Sequence, residues 1–432
     1  MNKHIRKALA IAAAGATIFS MAACGSSNGG SGDPGKLTVA WWGNQTRNDL
    51  QAKVDKAFGE ANGVTIDGQF SQWADYWQKM STNAAGKSLP DVFAMDFSYL
   101  TQYIDNGLLE PLDDYISSGK LDMSNVDENT LSAGKGTDGK IYAIPSGVNA
   151  PTFIVNQGLL DELGITIPDN WTLDDFMDIA RQVYEKSGVK TEYGFGGDAY
   201  NLEYVMRAHD AKLFDGENLG SEDASAYEEY FNVWETMYKE GWGISAEQYT
   251  EITLGSVEQD PLVSFTSKDK QAWNSLAWNS QLTAYSKVNP DLKLALYPWP
   301  SSNVKKSNYV HPGQYWAVAK TSKNKDMAVK FIDYYTNNDE AVKTMLLDRG
   351  IPISSKALET ITPSLSDNEK TIVKYQEGVP ANSSPINQPM PSKATEVNKK
   401  IMPDLQEQIM YGKMTASQAA QDFITRAKDS LK

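Results

Sequence analysis

Residues 140–156 read KIYAIPSGVNAPTFIVN. Two β-type runs, 141–144 and 152–155, flank a segment marked by Pro145, Gly147 and Pro151. Strand-forming sequence that is broken by proline and glycine, yet resumes as strand, suits a chain leaving one sheet and entering another. An ordinary two-strand connection inside one large domain is the alternative. The crossover reading predicts two lobes, and the elements on either side of the stretch decide what those lobes could hold.

Toward the N-terminus, 37–42 (LTVAWW) predicts a buried strand ended by Gly43-Asn44-Gln45. Leu50, Val54, Phe58 and Ala61 then recur at helical spacing, with Gly63 placed to end that helix. A strand over 64–70, a helix over 76–85 and a strand over 91–95 complete a β-α-β-α-β order. This alternation predicts a mainly parallel sheet covered by helices. Ligands of open α/β sheets sit outside the carboxyl ends of the strands. Here those ends carry Trp41, Trp42, Asn44, Gln45, Met95 and Asp96.

Beyond the stretch, 159–163 predicts a short helix, and Thr172 with Asp175 forms a capping-box pattern ahead of the stripe Phe176, Ile179, Ala180 and Val183. YGFGG at 193–197 is a strand end or loop, followed by Asp198, Tyr200 and Asn201. Tyr227, Phe231, Trp234 and Tyr238 fall on one face of a helix, which reads as core packing. Strands are expected at 262–265 and 271–273, with Trp278 in the turn before a helix over 280–286. A strand over 292–298 leads to YPWP at 297–300, the expected second crossing. A strand over 314–319 and helices over 325–336 and 340–347 precede a third crossing at Arg349-Gly350-Ile351-Pro352. Amphipathic helices over 393–411 and 416–431 end the chain. The lobes are therefore expected as 37–144 plus 300–348 and 145–299 plus 349–432.

The chain opens with Lys3, Arg6 and Lys7, an apolar run over 8–19, and Met21-Ala22-Ala23-Cys24. A basic start, a short apolar core and small residues before a cleavage point predict a secretory signal over 1–23. The run is too short for a permanent membrane span. M-A-A-C resembles the lipobox of bacterial lipoproteins, which implies a diacylated Cys24 anchored to the cell membrane. A plain secretory signal with an incidental cysteine is the alternative. Residues 24–36 are rich in Gly and Ser and predict a flexible tether, reaching on the order of 20 Å.

Formal net charge is −15, and the leader to be removed carries three of the basic residues and none of the acidic ones. An acidic exterior with few arginines excludes nucleic acid as a partner and disfavours anionic ligands. Cys24 is the one cysteine, so no disulfide framework exists and stability rests on core burial. Trp and Tyr, at 11 and 21, outnumber the 13 Phe. Polar-tipped aromatics suit surfaces that are apolar and hydrogen-bonding at once, although a scatter of core and surface residues gives the same count. Two histidines beyond the leader, His209 and His311, disfavour metal or triad chemistry, and no metal site is expected. DGEN at 215–218 lacks the alternating ligands of a calcium loop. No nucleophile elbow, zinc helix or phosphate-binding glycine loop appears, and no cofactor is expected.

Four stretches, LTVAWWG, LPDVFAMD, IYAIPSGVNAPTFIVN and AVAKTSKNKDMAVKFIDYYTNNDEAVKTMLLDRGIPIS, follow one another in an order that resembles the extracellular solute-binding proteins of ABC importers, in their oligosaccharide-binding branch. The resemblance implies an α/β, two-lobed periplasmic-binding-protein-like fold, with hinge crossovers and a ligand cleft between the lobes. It implies an oligosaccharide ligand, permease subunits in the membrane as partner, and a monomer. Carried onto this sequence, Asp96 would accept hydroxyl bonds, while Asn44 and Gln45 occupy a ligand-facing loop. Asn149 stands where other members have glutamate, which leaves the sugar undefined. Asp198 and Tyr200 fall in a sugar-contacting segment, Trp278 matches a stacking tryptophan, and Trp42, Gln314, Tyr315 and Arg349 complete the expected site. Asp96 equally suits a helix cap, Trp278 plain packing and Arg349 a structural ion pair; one of Trp41 and Trp42 belongs to the core. A membrane-anchored glycoside hydrolase, with two acids flanking a bond, and a receptor for a non-sugar solute are the competing functions.

Overall fold

The computed structural model describes residues 35–43, 45–194, 199–252, 256–387, 390–391 and 393–432. The expected leader, Cys24, nearly all of the tether, Asn44 and Asp198 lie outside the described residues.

Strand β1, Lys36–Trp42, is followed by helix α1, Gln45–Asn62, then β2, Thr65–Ser71, α2, Trp73–Ala85, β3, Val92–Asp96, and α3, Phe97–Asp105. Strands β1, β2 and β3 pair in parallel, with β1 in the middle. The apolar residues of β1 and β3 are buried from end to end, as expected of central strands covered on both faces. The rest of the sheet departs from the parallel expectation. Strand β10, His311–Val318, inserts antiparallel between β3 and β4, Ala143–Asn149, giving the order β2-β1-β3-β10-β4. The chain returns from the other sheet through the short helix Val304–Ser307 and enters β10 at the edge where β3 and β4 end, so β10 runs against both.

The second sheet is β8-β5-β9, antiparallel throughout, from β5, Pro151–Asn156, β8, Asn274–Trp278, and β9, Leu294–Tyr297. One residue, Ala150, separates β4 in the first sheet from β5 in the second, so the opening stretch is a crossover. Around the second sheet lies an aromatic core with Trp171, Tyr193, Trp234, Trp242 and Trp273. Each such ring, fully buried, contributes roughly 1.5–3 kcal/mol. The capping box is formed: Asp175 N–H donates to Thr172 Oγ1 at 3.2 Å, and Thr172 N–H to Asp175 Oδ2 at 2.8 Å.

Several elements sit away from their expected places. Residues 262–265 are a turn, not a strand, because the buried Asp260 carboxylate accepts bonds from Leu262 N–H, Ser275 Oγ and Tyr285 Oη and curls the chain. The strand comes at Asn274–Trp278, which makes Trp278 the last strand residue. Tyr238, expected inside, is 48% exposed and lies beside Gly412. DGEN is the tight turn between β6, Phe214–Asp215, and β7, Asn218–Leu219.

The second crossing comes later than 297–300. Trp299 and Tyr309 still pack in the second core, and His311 opens β10. The 349–352 segment stays with the first sheet, where Val148 and Ile351 exchange N–H···O bonds at 2.9 Å. Glycine is required at this contact: a Cβ on Gly147 would stand 2.4 Å from the Arg349 carbonyl oxygen. The chain changes side between the helix Ser355–Ile361, packed on Asp339–Met345, and the helix Asp367–Glu377, packed on β9.

Candidate functional site

The carboxyl ends of β1, β3 and β4 bring Trp42, Asp96 and Asn149 to one edge of the first sheet. Antiparallel β10 starts at this edge, with His311 opposite Asn149 and Gln314 opposite Asp96. On the far side of Ala150, Pro151 pairs with Trp278, the end of β8. The turn is fastened by Asn279. Its backbone N–H donates to Ala150 O at 3.1 Å, its Oδ1 accepts from Ala150 N–H at 2.9 Å, and its Nδ2 donates to Gln376 Oε1 at 2.9 Å. Asn149, His311 and Trp278 are thus set by backbone pairing on both sides of a fixed hinge.

Around them the side chains form an aromatic cage. The His311 ring stacks on the Trp278 indole with centroids 4.4 Å apart and planes at 18°. Phe97 meets His311 edge-on at 5.5 Å, Tyr200 meets Trp278 at 5.4 Å and His311 at 6.0 Å, and Tyr309 closes the group at 6.2 Å from His311. Next to Trp278 is a cavity of about 130 Å³, walled by Tyr200, Asn201, Leu276, Gln281 and Trp299 among others. Among the described residues, this wall carries no charged side chain.

Burial pushes the His311 imidazole down to about 4, so it is neutral at pH 7. Its Nδ1, the Asn149 Oδ1, the Tyr309 Oη and the Tyr315 Oη are all buried without a hydrogen-bond partner among the described residues. A buried polar atom left unpaired costs about 1–3 kcal/mol, and four of the unpaired atoms among the described residues gather at this seam. Asp96 sits half-buried at the same edge. Burial raises its carboxyl above the usual range, against the pull of Ser98, whose N–H donates to Asp96 Oδ1 at 2.9 Å. Asp96 therefore does cap α3, and its charge also helps to push up the buried Tyr315 phenol.

Of the residues expected from sequence, Asn149, Tyr200 and Trp278 come together, with Asp96 and Tyr315 on the adjoining strands. Trp42 is buried at the same edge against Trp73, Tyr76 and Trp77. Trp41 is also core. Gln45 opens α1, exposed, and donates to Asp49 at 2.7 Å. Gln314 also stands at this edge, opposite Asp96, but its side chain and that of Arg349 are taken up in bonds to each other and to α1. Arg349 donates from Nη1 to Gln314 Oε1 at 2.7 Å and from Nη2 to Gln51 Oε1 at 3.2 Å, and its guanidinium rests 4.8 Å over Trp316. Arg47 donates from Nε to Asp348 Oδ2 at 2.7 Å and also reaches Gln314.

His311, Phe97 and Tyr309 were missed. With the second crossing placed at 297–300 and the next strand begun at 314, the segment holding Tyr309 and His311 had no assigned role. The usable signal was a lone histidine beside an aromatic-rich return between sheets. Among the described residues, no three His, Cys, Asp or Glu side chains gather as a metal-ligand set, and no helix is long and apolar enough to cross a membrane.

Comparison with known proteins agrees with this architecture. The profile of the bacterial extracellular solute-binding proteins matches residues 53–372. A carbohydrate ABC transporter substrate-binding protein of Streptococcus pneumoniae is 23% identical over 80% of this chain and 72% of its own. A maltotriose-binding protein of Pyrococcus abyssi is 24% identical over 75% of this chain and 68% of its own. A solved extracellular solute-binding protein of family 1 from Alicyclobacillus acidocaldarius superposes with a TM-score of 0.79 at 25% identity, covering 92% of this chain and 98% of that one. With two sheets meeting at a hinge-bound cage and the family profile spanning most of the chain, the protein belongs to the bacterial extracellular solute-binding proteins that serve ABC importers.

Proposed function

We propose that this chain is the lipid-anchored receptor of an importer for an uncharged oligosaccharide, gripped between two closing lobes and handed intact to a membrane permease. The observation that carries the reading is the cage of Trp278, Tyr200, Tyr309, Phe97 and neutral His311, where two buried polar atoms lack partners among the described residues, as do two more on Asn149 and Tyr315 of the adjoining strands. A sugar ring has a C–H face that stacks on an indole and an edge of hydroxyls that both donate and accept. Those hydroxyls would satisfy Asn149 Oδ1, His311 Nδ1 and the two phenols, and would bond to the Asp96 carboxyl. The naming of two relatives for a carbohydrate and for maltotriose points to the same chemistry.

Closure follows from where the contacts lie. Asp96 ends β3 of the first sheet and Phe97 opens the helix that follows it, while Trp278 and Tyr200 belong to the second side, so a ligand gains contacts on closing that it lacks in an open form. That difference in contact energy drives the lobes together and lets the permease tell loaded from empty protein. Gln314 and Arg349 serve as framework in this scheme, while Gln45 stands at the rim. Cys24 carries the lipid, and a Cys24→Ser variant is expected in the medium instead of the membrane fraction.

Calorimetry against maltotriose, cellotriose, xylotriose and raffinose tests the sugar class, with the recovered glycan checked for cleavage. Trp278→Ala and Asp96→Ala are each expected to weaken binding at least tenfold, about 1.4 kcal/mol or more, with folding retained. Native affinity in both variants would place the site elsewhere.

A further inference from the structure

The same edge of the first sheet carries a second aromatic group that the cage does not use. Strand β2 ends at Ser71 and β1 at Trp42, so the start of α2 projects Trp73 on the side of the sheet where α3 begins with Phe97. Trp73 is 44% exposed, whereas Trp42 and Trp77 beneath it are buried. Its neighbours hold it by their edges: Trp42 at 5.1 Å and 78°, Trp77 at 5.6 Å and 73°, with Tyr99 tilted at 6.3 Å. Trp77 is different, because Tyr99 stacks on it at 3.8 Å and 20°. None of these rings lies parallel on Trp73, and the packing fixes its orientation while nearly half of the side chain stays exposed. A ring already immobilised loses little freedom when a partner stacks on it. The adjoining Gln72 side chain makes no capping bond to α2, which leaves an exposed amide beside the indole.

A flat, fixed, exposed indole with an amide at its side has the same chemistry as one position of the cage. Continuity runs along the sheet edge: Trp42 ends β1 beside β3, whose end carries Asp96, and Trp42 touches Trp73. We infer that Trp73, with Gln72, is an outer stacking position for a further sugar unit of the same glycan, so that the receptor selects chains long enough to reach from the cage to the rim of the first lobe. This inference rests on the glycan reading above, and it adds a preference for chain length that the cage alone does not impose.

The test is calorimetric titration of wild type, Trp73→Ala and Trp73→Tyr with the di-, tri- and tetrasaccharide of the series that the wild type binds, malto-oligosaccharides being the first probe. Trp73→Ala is expected to lose about tenfold in affinity for the tetrasaccharide and less than twofold for the disaccharide. Trp73→Tyr, which keeps a flat ring with a polar tip, is expected to restore most of the loss. Thermal melts check that the half-exposed position has been changed without unfolding. Equal losses at every length, or none at any length, would overturn the inference. Normal titrations combined with failed uptake in cells would also overturn it, by assigning the indole to the permease contact. If the wild type bound no glycan at all, the fault would lie with the sugar reading, which the Trp278 and Asp96 titrations address separately.

Discussion

Two polar clusters lie within a few residues of each other on β10, and they are built on opposite principles. Below the sheet, Gln314 and Arg349 join Gln51, Arg47, Asp348 and Asp55 in a chain of bonds that ties α1 to β10 and to the 348–350 segment. Arg349 Nε lacks a partner there, as do Trp316 Nε1 and Tyr335 Oη of the two rings beside that guanidinium, but the carboxylate and amide oxygens that join the chain all accept bonds. At the sheet edge, His311, Asn149, Tyr309 and Tyr315 are packed by aromatic rings and leave one buried polar atom each unpaired. Satisfied networks fix a fold, whereas unsatisfied ones keep a price on staying empty. The first cluster is built of Arg, Asp and Gln and the second of His, Asn and Tyr, and under the proposed function it is the density of bonds among polar side chains that separates framework from site.

Removing a member of the satisfied cluster should therefore strike stability first. Arg349→Met would leave the buried Gln51 carbonyl without a donor and Gln314 with the Arg47 bond alone. At 1–3 kcal/mol for an orphaned acceptor, the expected loss is about 2 kcal/mol, read as a lower urea midpoint with unchanged slope. Sugar affinity of the folded fraction should stay within about threefold. A variant that folds normally but binds poorly would return Arg349 to the ligand site and erase the contrast.

The clusters also respond to pH with opposite signs. His311 is pushed down from 6.5 to about 4 by burial alone. Below 6.5 the unfolded chain takes up a proton that the folded one refuses, so stability present above 6.5 is lost as pH falls toward 4. The loss amounts to about 3 kcal/mol. Asp55 is pushed up from 3.8 to about 7, chiefly by burial and against the pull of Gln51 and Arg349. Its folded form holds a proton that the unfolded one releases, so its contribution is present below 3.8 and lost as pH rises toward 7. Between 4 and 6.5 the two trends oppose each other. His311→Asn should abolish the acid-side loss relative to wild type, and Asp55→Asn should abolish the opposite trend, in denaturation series from pH 4 to 7. Parallel curves for wild type and His311→Asn would mean that the imidazole is open to solvent.

Much of this arrangement was legible because periodicity and punctuation report on local geometry. The alternation from β1 to β3, the Thr172–Asp175 box and the crossover at 145–151 each follow from a spacing or a backbone restriction carried by the residues themselves. Long-range consequences were less visible. The antiparallel insertion of β10 depends on where the chain returns from the other sheet, and the turn at 262–265 depends on Asp260 meeting Ser275 and Tyr285. For the same reason Asn149, Tyr200 and Trp278 could be placed near a seam, yet Gln314 could not be separated from Tyr315. Adjacent strand residues face opposite sides, and which side held the helices was not written in the local sequence.

That alternation supplies the gentlest test. Gln314 and Tyr315 are neighbours, but one amide oxygen receives two arginines and the neighbouring phenol receives nothing. Tyr315→Phe removes only the orphaned oxygen from a ring that is otherwise wholly buried. If the hydroxyl waits for a ligand, its deletion spares the empty protein an unmet bond, and stability should hold or rise by up to about 1 kcal/mol. Affinity for the bound glycan should fall by about fivefold, the equivalent of one neutral hydrogen bond. Calorimetry and thermal melts on the same preparation read both quantities. A drop in stability with unchanged affinity would show that the phenol bonds within the fold, and would move Tyr315 to the framework side of the comparison.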